Sequence, residues 1–256
     1  MAATRLKHHP RYKGLAVFEN GKARWTGEVR LNYDVLEQPL RWRKPRRVFV
    51  ASMGDWLHPS IYESFIYRVL DVTQRTPQHI YQFLTKRADR LPVIVKDWML
   101  DRGLYKPPQN IQQGVSIEDQ AAADERIPLL LQTPAAVRFV SVEPYLSAVN
   151  FTNVRVSSME VLNALTGIST VPHSESPRYH SLDWVIAGSE SGPGARPMDE
   201  DWVRDLRDQC QTAGVSFFYK QKLVNGRKVS TPMLDGRTWR QFPVTDGATI
   251  DKRRDE

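Results

Sequence analysis

The chain has 256 residues, with 36 Lys and Arg against 29 Asp and Glu, a net charge of +7, and one cysteine. That length suits one large domain or two small ones with a sizeable core, and no apolar run approaches the roughly 18–20 residues that span a bilayer. A single cysteine excludes an intrachain disulfide, a zinc finger or a cysteine-ligated cluster held by this chain alone.

The first residues, MAATRLKHHPRYKGL, are basic and lack the apolar stretch of a secretory signal. The expectation is a cytoplasmic protein with no membrane partner and no metal site. The adjacent pair His8-His9 does not alter this, because neighbouring side chains do not face one another on a helix. Residues 1–47 carry a net charge of +8, and the other 209 residues carry −1. Arg41, Arg43, Lys44, Arg46 and Arg47 crowd around Trp42 and Pro45. Such a segment attracts phosphates, which makes nucleic acid the expected partner of this head. A solvated loop before a strand fits the same residues.

Two short β-type stretches, Leu15–Glu19 and Lys22–Trp25, flank Asn20-Gly21, a hairpin signal because both turn residues tolerate positive φ. From Arg47 onward strands and helices alternate. A strand over Val48–Met53 leads to a helix from Ser60 to Gln74, where Ser60 and Glu63 have capping-box spacing. A strand over Ile80–Leu84 precedes a helix from Arg87 that Pro92 interrupts. Next come a strand at Ile111–Ile117, a helix from Glu118 to Leu131, and a strand at Val137–Val142. Residues 150–181, rich in Ser, Thr, Asn and Pro, read as an insertion with a short helix at Met159–Leu165. A strand at Asp183–Gly188, a helix from Asp199 to Ala213 ended by Gly214, and a strand at Val215–Lys220 complete the series. Cys210 falls beside Leu206 in that helix's register, as a buried and inert thiol would.

Nearly continuous apolar strands alternating with amphipathic helices predict a parallel α/β architecture. No dinucleotide or P-loop glycine pattern follows the early strands. The fold class expected from the pattern is therefore a parallel (β/α) barrel or partial barrel, in preference to a doubly wound sheet, with an N-terminal β-hairpin. It forms one domain over 1–256, with a basic head at 1–47, β/α units at 48–149 and 182–222, an insertion at 150–181 and a C-terminal extension at 223–256.

Barrel enzymes place their chemistry at the C-terminal ends of their strands. Here the strands run out into Ser52-Met53-Gly54-Asp55, Thr85-Lys86-Arg87, Ser116-Ile117-Glu118-Asp119, Ser141-Val142-Glu143-Pro144, Ser189-Glu190-Ser191-Gly192 and Lys220-Gln221. Converging on one mouth, four carboxylates and two or three cations would suit a zwitterionic ligand. Asp55, Lys86, Glu143 and Glu190 are the candidate catalytic residues, with His58 a further acid/base candidate. Ser116 and Asp119 fit helix capping equally well.

The stretches WTGEVRLN, QPLRWRKPRRVFV, SMGD, FLTKR, GVSIEDQAAADERIPLL, RFVSVEP, GSESGPGARPM and LDGRTW occur in this order. As an ordered set they resemble a bacteriophage and prophage family of uncharacterised proteins, the phage gp thirty-seven/gp sixty-eight family. That family looks like a relative of the radical S-adenosylmethionine enzymes, whose fold is a partial (β/α)₆ barrel. The resemblance implies S-adenosylmethionine and a [4Fe–4S] cluster for the full-length family. It assigns cofactor binding to Ser52, Asp55, Glu118, Glu143, Ser189 and Lys220. Ser52 and Asp55 would lie near the methionine amino group and Glu143 and Glu190 near the ribose or substrate, while Lys86 and Lys220 would meet a carboxylate or phosphate.

The sequence departs from the family at the cluster. Members usually begin with a Trp-Asn-Pro-type strand and a three-cysteine C-x₆-C-x₂-C-Y-A segment, and the match here begins after it, so the resemblance implies a partial parallel (β/α) barrel lacking its first strand. Ala51, Gly54, Val142 and Ser189 also stand where the family favours Asn, Ser, Cys and Gly. Two expectations compete for this: Met1 is an internal methionine of a longer frame, or the chain is a truncated paralogue. Either way, radical chemistry is not expected of this chain as written. A non-catalytic nucleic-acid-binding protein using the basic head is the alternative.

Overall fold

A computed structural model describes residues 9–19, 22–171 and 179–244. Strands β1 (Ala16–Glu19) and β2 (Lys22–Trp25) pair antiparallel, Ala16 opposite Trp25. The Asn20-Gly21 turn expected between them, and His8, lie outside the described residues. A one-turn helix α1 (Tyr33–Leu36) and a 3₁₀ turn (Gln38–Arg41) lead to β3 (Arg47–Val50). Then follow α2 (Glu63–Gln74), β4 (Ile80–Thr85), α3 (Leu91–Asp101), β5 (Ile111–Ile117), α4 (Gln120–Leu131) and β6 (Val137–Val142). A small antiparallel sheet of β7 (Val154–Arg155), β8 (Val161–Asn163) and β9 (Ile168–Ser169) comes next. The chain returns through β10 (Trp184–Gly188), α5 (Glu200–Ala213), β11 (Ser216–Val224) and β12 (Arg227–Ser230), then a last hairpin, β13 (Met233–Leu234) and β14 (Arg237–Thr238).

The central sheet has the order β12-β11-β10-β6-β5-β4-β3. Its six strands from β3 to β11 are parallel and lie beside one another in chain order, with β12 antiparallel at the end. Winding in one direction is the order of a barrel; a doubly wound sheet reverses partway. Strand residues alternate between faces. Tyr81, Phe83, Val115, Ile117, Val140, Val142, Val185 and Phe217 pack with Leu70, Trp98, Ile127 and Leu206 of the helices into the core. The alternate set, including Gln82, Gln112, Ser116, Phe139, Ser141 and Trp184, occupies the other face.

That face is curled. Residues beyond β14 run back along β11, Tyr219 donating its N–H to the Trp239 carbonyl and Gln241 to that of Phe217. This places Phe242 against Trp184 and Phe218, both at 5.4 Å between ring centroids. The Arg47 guanidinium, from the opposite end of the sheet, lies 4.3 Å over the same Phe242 ring. The sheet is therefore a half-barrel whose ends approach each other at the strands' N-terminal side. Among the described residues β3 has no second strand partner, and no helix is long and apolar enough to cross a membrane.

Several boundaries differ from those read in the sequence. The helix expected from Ser60 begins at Glu63 with Tyr62 as its N-cap and no side-chain cap bond. Ser60 instead donates its N–H to Nδ1 of His58, inside a turn that precedes the helix. Pro92 does not interrupt α3 but stands in its first turn, where a missing N–H costs nothing. The strand expected to reach Met53 stops at Val50 because Ala51 takes a positive φ of 53°. Met159–Leu165 is not helical; Val161–Asn163 is a strand with Leu162 buried. β11 runs past Lys220 to Val224 and turns at Asn225-Gly226, both at positive φ, so the C-terminal extension begins inside a strand.

Candidate functional site

The parallel strands deliver their polar termini to one mouth. Two carboxylates there, Glu118 and Glu143, are held by donors from other strand ends. Glu118, following β5, accepts from Nζ of Lys86 at 3.2 Å and from Arg126 at 3.1 Å. Arg126 reaches back from α4 and also donates to the Ser116 carbonyl at 2.7 Å. Glu143, following β6, accepts from Nζ of Lys220 at 2.6 Å and from the Gln221 amide at 2.8 Å. Gln221 donates as well to the Ser189 carbonyl at 2.9 Å, tying β11 to β10. Ser116 donates to the Glu143 carbonyl at 3.3 Å, and the Leu146 N–H to that of Glu118 at 3.0 Å. The two clusters are thus adjacent parts of one rim.

Gly188 lies close under this rim: a Cβ there would make a tight contact of 3.3 Å with Gln221 Cγ and an ordinary one of 3.6 Å with the Glu143 carboxyl carbon. The charges are layered. The Lys86 and Lys220 side chains are 50% and 48% exposed, and those of Glu118 and Glu143 only 23% and 20%. A ligand arriving from solvent meets ammonium groups first and carboxylates behind them.

The other expected residues play different parts. Asp55 is fully engaged: Thr85 and the Leu57 N–H bind one oxygen, Arg87 and the Lys86 N–H the other, at 2.8 to 3.1 Å. It organises the loop after β4 and has no free lone pair aimed at a ligand. Ser52 sits exposed in the turn after β3, and among the described residues no hydrogen bond joins it to Glu118 or Glu143. Glu190 is clamped by the side chain and N–H of Arg196, six residues on, which hold its carboxyl down at about 2. Asp119 is the N-cap of α4, accepting from the Ala122 N–H at 2.8 Å, whereas Ser116 is no cap. Ser189 is buried, and its Oγ has no partner among the described residues. His58 serves as a turn acceptor.

Sequence reading missed Arg126 as a rim member and placed Gln221 at a strand end without giving it a role. Arg126 gave no signal at a strand end because it arrives from a helix. Gln221 directly follows Lys220 and was legible as part of that strand end.

The basic segment lies at the other end of the strands. The Ile80 N–H bonds to the Arg46 carbonyl, so residues 41–46 precede β3 on the N-terminal side. Arg41, Arg43, Lys44, Arg46 and Arg47 are all exposed. Arg46 covers the Trp42 ring at 4.6 Å, and His79 meets the same ring edge-on at 5.4 Å.

A [4Fe–4S] cluster does not fit these residues. The chain's one cysteine, Cys210, is buried on α5, where burial pushes its thiol up to about 12. Among the described residues no group of three His, Cys, Asp or Glu is placed to hold a metal ion.

Fold and rim together define a class: a parallel half-barrel with a charged mouth at its strand ends. The chain belongs to the family described as "Protein of unknown function (DUF5131)", whose model matches residues 1–243. No curated protein matches the chain, and no solved structure does.

Proposed function

We propose that the mouth binds a zwitterionic small ligand of the S-adenosylmethionine class, and that this chain does so without cluster-based radical chemistry. The observation that carries the reading is the layered rim: two exposed ammonium groups, Lys86 and Lys220, each backed by a shielded carboxylate. Lys86 and Lys220 take the ligand's carboxylate. Glu118 and Glu143, relieved of part of their ion pairing, take its ammonium group or ribose hydroxyls. Bound S-adenosylmethionine supplies an electrophilic sulfonium. The same reading sets the chain beside the phage gp thirty-seven/gp sixty-eight proteins and the radical S-adenosylmethionine enzymes. Its support is the ordered strand-end motifs and the one-directional winding of the half-barrel.

Titration calorimetry with S-adenosylmethionine tests this. A hydrogen bond to a charged group contributes about 1.5–3 kcal/mol, so Lys86→Ala with Lys220→Ala should weaken binding at least about tenfold. Absence of binding by the unaltered chain at millimolar ligand, or a double variant that binds equally well, sinks the proposal.

A second reading, nucleic-acid binding by the basic head, has its own observation. Arg41, Arg43 and Lys44 are exposed without an ion-pair partner among the described residues, at the end of the strands opposite the mouth.

A further inference from the structure

We infer that the N-terminal end of the half-barrel is a docking face for the phosphate backbone of double-stranded nucleic acid, engaged without base stacking and separately from the mouth. This rests on the second reading above and names its partner.

The seventeen residues from Gln38 to Gly54 contain five cations and no acidic residue. A solvated surface normally intersperses both signs, so this run leaves a positive field that nothing within it cancels. The backbone that carries these cations is also held in place. Trp42 donates its N–H to the Pro39 carbonyl, and the Arg46 carbonyl accepts from Ile80, fixing the segment at both ends. A backbone that is already ordered loses little entropy when phosphates arrive.

The aromatic rings at this face decide between the forms of nucleic acid. Single-stranded sites combine a basic groove with free aromatic faces on which bases stack. Here Trp42 carries Arg46 over its ring with His79 at its edge, and Phe242 carries Arg47 while packing on Trp184 and Phe218. Both rings already carry a guanidinium, so what the face presents is positive charge. Guanidinium and ammonium groups whose adjoining Trp42 and Phe242 rings are already covered suit phosphates, the sequence-independent part of a duplex, and leave Phe49 as the exposed ring of the run. The mouth, at the far end of the same strands, is not reached by a duplex lying across this face. The nucleic acid is therefore a partner rather than the mouth's substrate.

The test is fluorescence anisotropy with a labelled duplex of about 20 base pairs, two helical turns, and with one of its strands alone. Four phosphate contacts, from Arg41, Arg43, Lys44 and Arg46, predict a loss of duplex affinity of about 150-fold between 50 and 200 mM salt. The triple variant Arg41→Gln, Arg43→Gln, Lys44→Gln leaves one contact and should lose only about 3-fold to 4-fold over the same range. These side chains are exposed, and an unchanged melting temperature confirms that the variant is folded. A triple variant with the full salt dependence would overturn this placement of the site. Tighter binding of the single strand, with quenching of tryptophan emission, would overturn the duplex inference while leaving the nucleic-acid reading standing. No binding of either probe at 50 mM salt would remove both.

Discussion

Gly114 lies under the ring of Phe139, and a Cβ built on it would fall 2.5 Å from that ring. Phe139 is buried and packs on Trp184, so it has little room to retreat. Gly114→Ala should therefore destabilise the protein by about 1–3 kcal/mol, the usual cost of overpacking. Urea unfolding reads this as a lowered midpoint, and adding Phe139→Leu should recover part of the loss. A Gly114→Ala midpoint equal to that of the unaltered chain would show that the ring moves freely. Residue identity at the strand ends was legible in the sequence, but residue role was not. Asp55 and Glu118 look alike there, each a carboxylate just past a strand. One is saturated by four donors that shape a loop, and the other faces an exposed lysine. That difference depends on which neighbours arrive from other strands, information the local sequence does not hold.

Among the elements, α5 shows how locally a helix can be specified. Asp199 accepts from the Asp201 N–H at 2.9 Å at its start, and Gly214 takes φ 70° at its end. A Cβ on Gly214 would meet nothing within 4 Å, so Gly214→Ala isolates the backbone strain. A left-handed conformation costs an L-residue about 1–2 kcal/mol, and losing the Asp199 cap through Asp199→Ala costs about 1 kcal/mol. Thermal melts of the two single variants and the double should show nearly additive losses, since the ends are far apart. This is why α5 was readable from Asp199, Glu200 and Gly214 alone. β5 and β6 were readable to the residue because Ile111, Val115 and Ile117 in one and Val137, Phe139, Val140 and Val142 in the other mark them, although Gln112, Gln113 and Arg138 are buried among these. β8 was misread because three residues are too few to display a period, and only pairing with β7 and β9 makes them a strand.

At the scale of the whole molecule, one-directional winding follows from repeated strand-helix alternation, and that alternation is visible in the sequence. The curl is not, because it depends on a tail contact between distant residues. Phe242 comes from the far end of the chain, packs on Trp184 and Phe218, and receives Arg47 from the first strand of the sheet. It joins the two ends of the half-barrel while Trp239 and Gln241 hold the tail along β11. The aromatic packing should outweigh the cation. Half-buried Phe242 loses its two ring contacts, each contributing about 0.5–1.5 kcal/mol beyond area burial, whereas an exposed cation–π contact contributes about 0.5–1 kcal/mol. Phe242→Ala should therefore destabilise the chain more than Arg47→Ala. It should also accelerate hydrogen exchange of the Tyr219 amide, whose acceptor is the Trp239 carbonyl in the same tail. Urea midpoints of both variants, with exchange measured at Tyr219, check this. If Arg47→Ala were as damaging as Phe242→Ala and Tyr219 exchange were unchanged, the tail would be fastened by its charge and not by its rings.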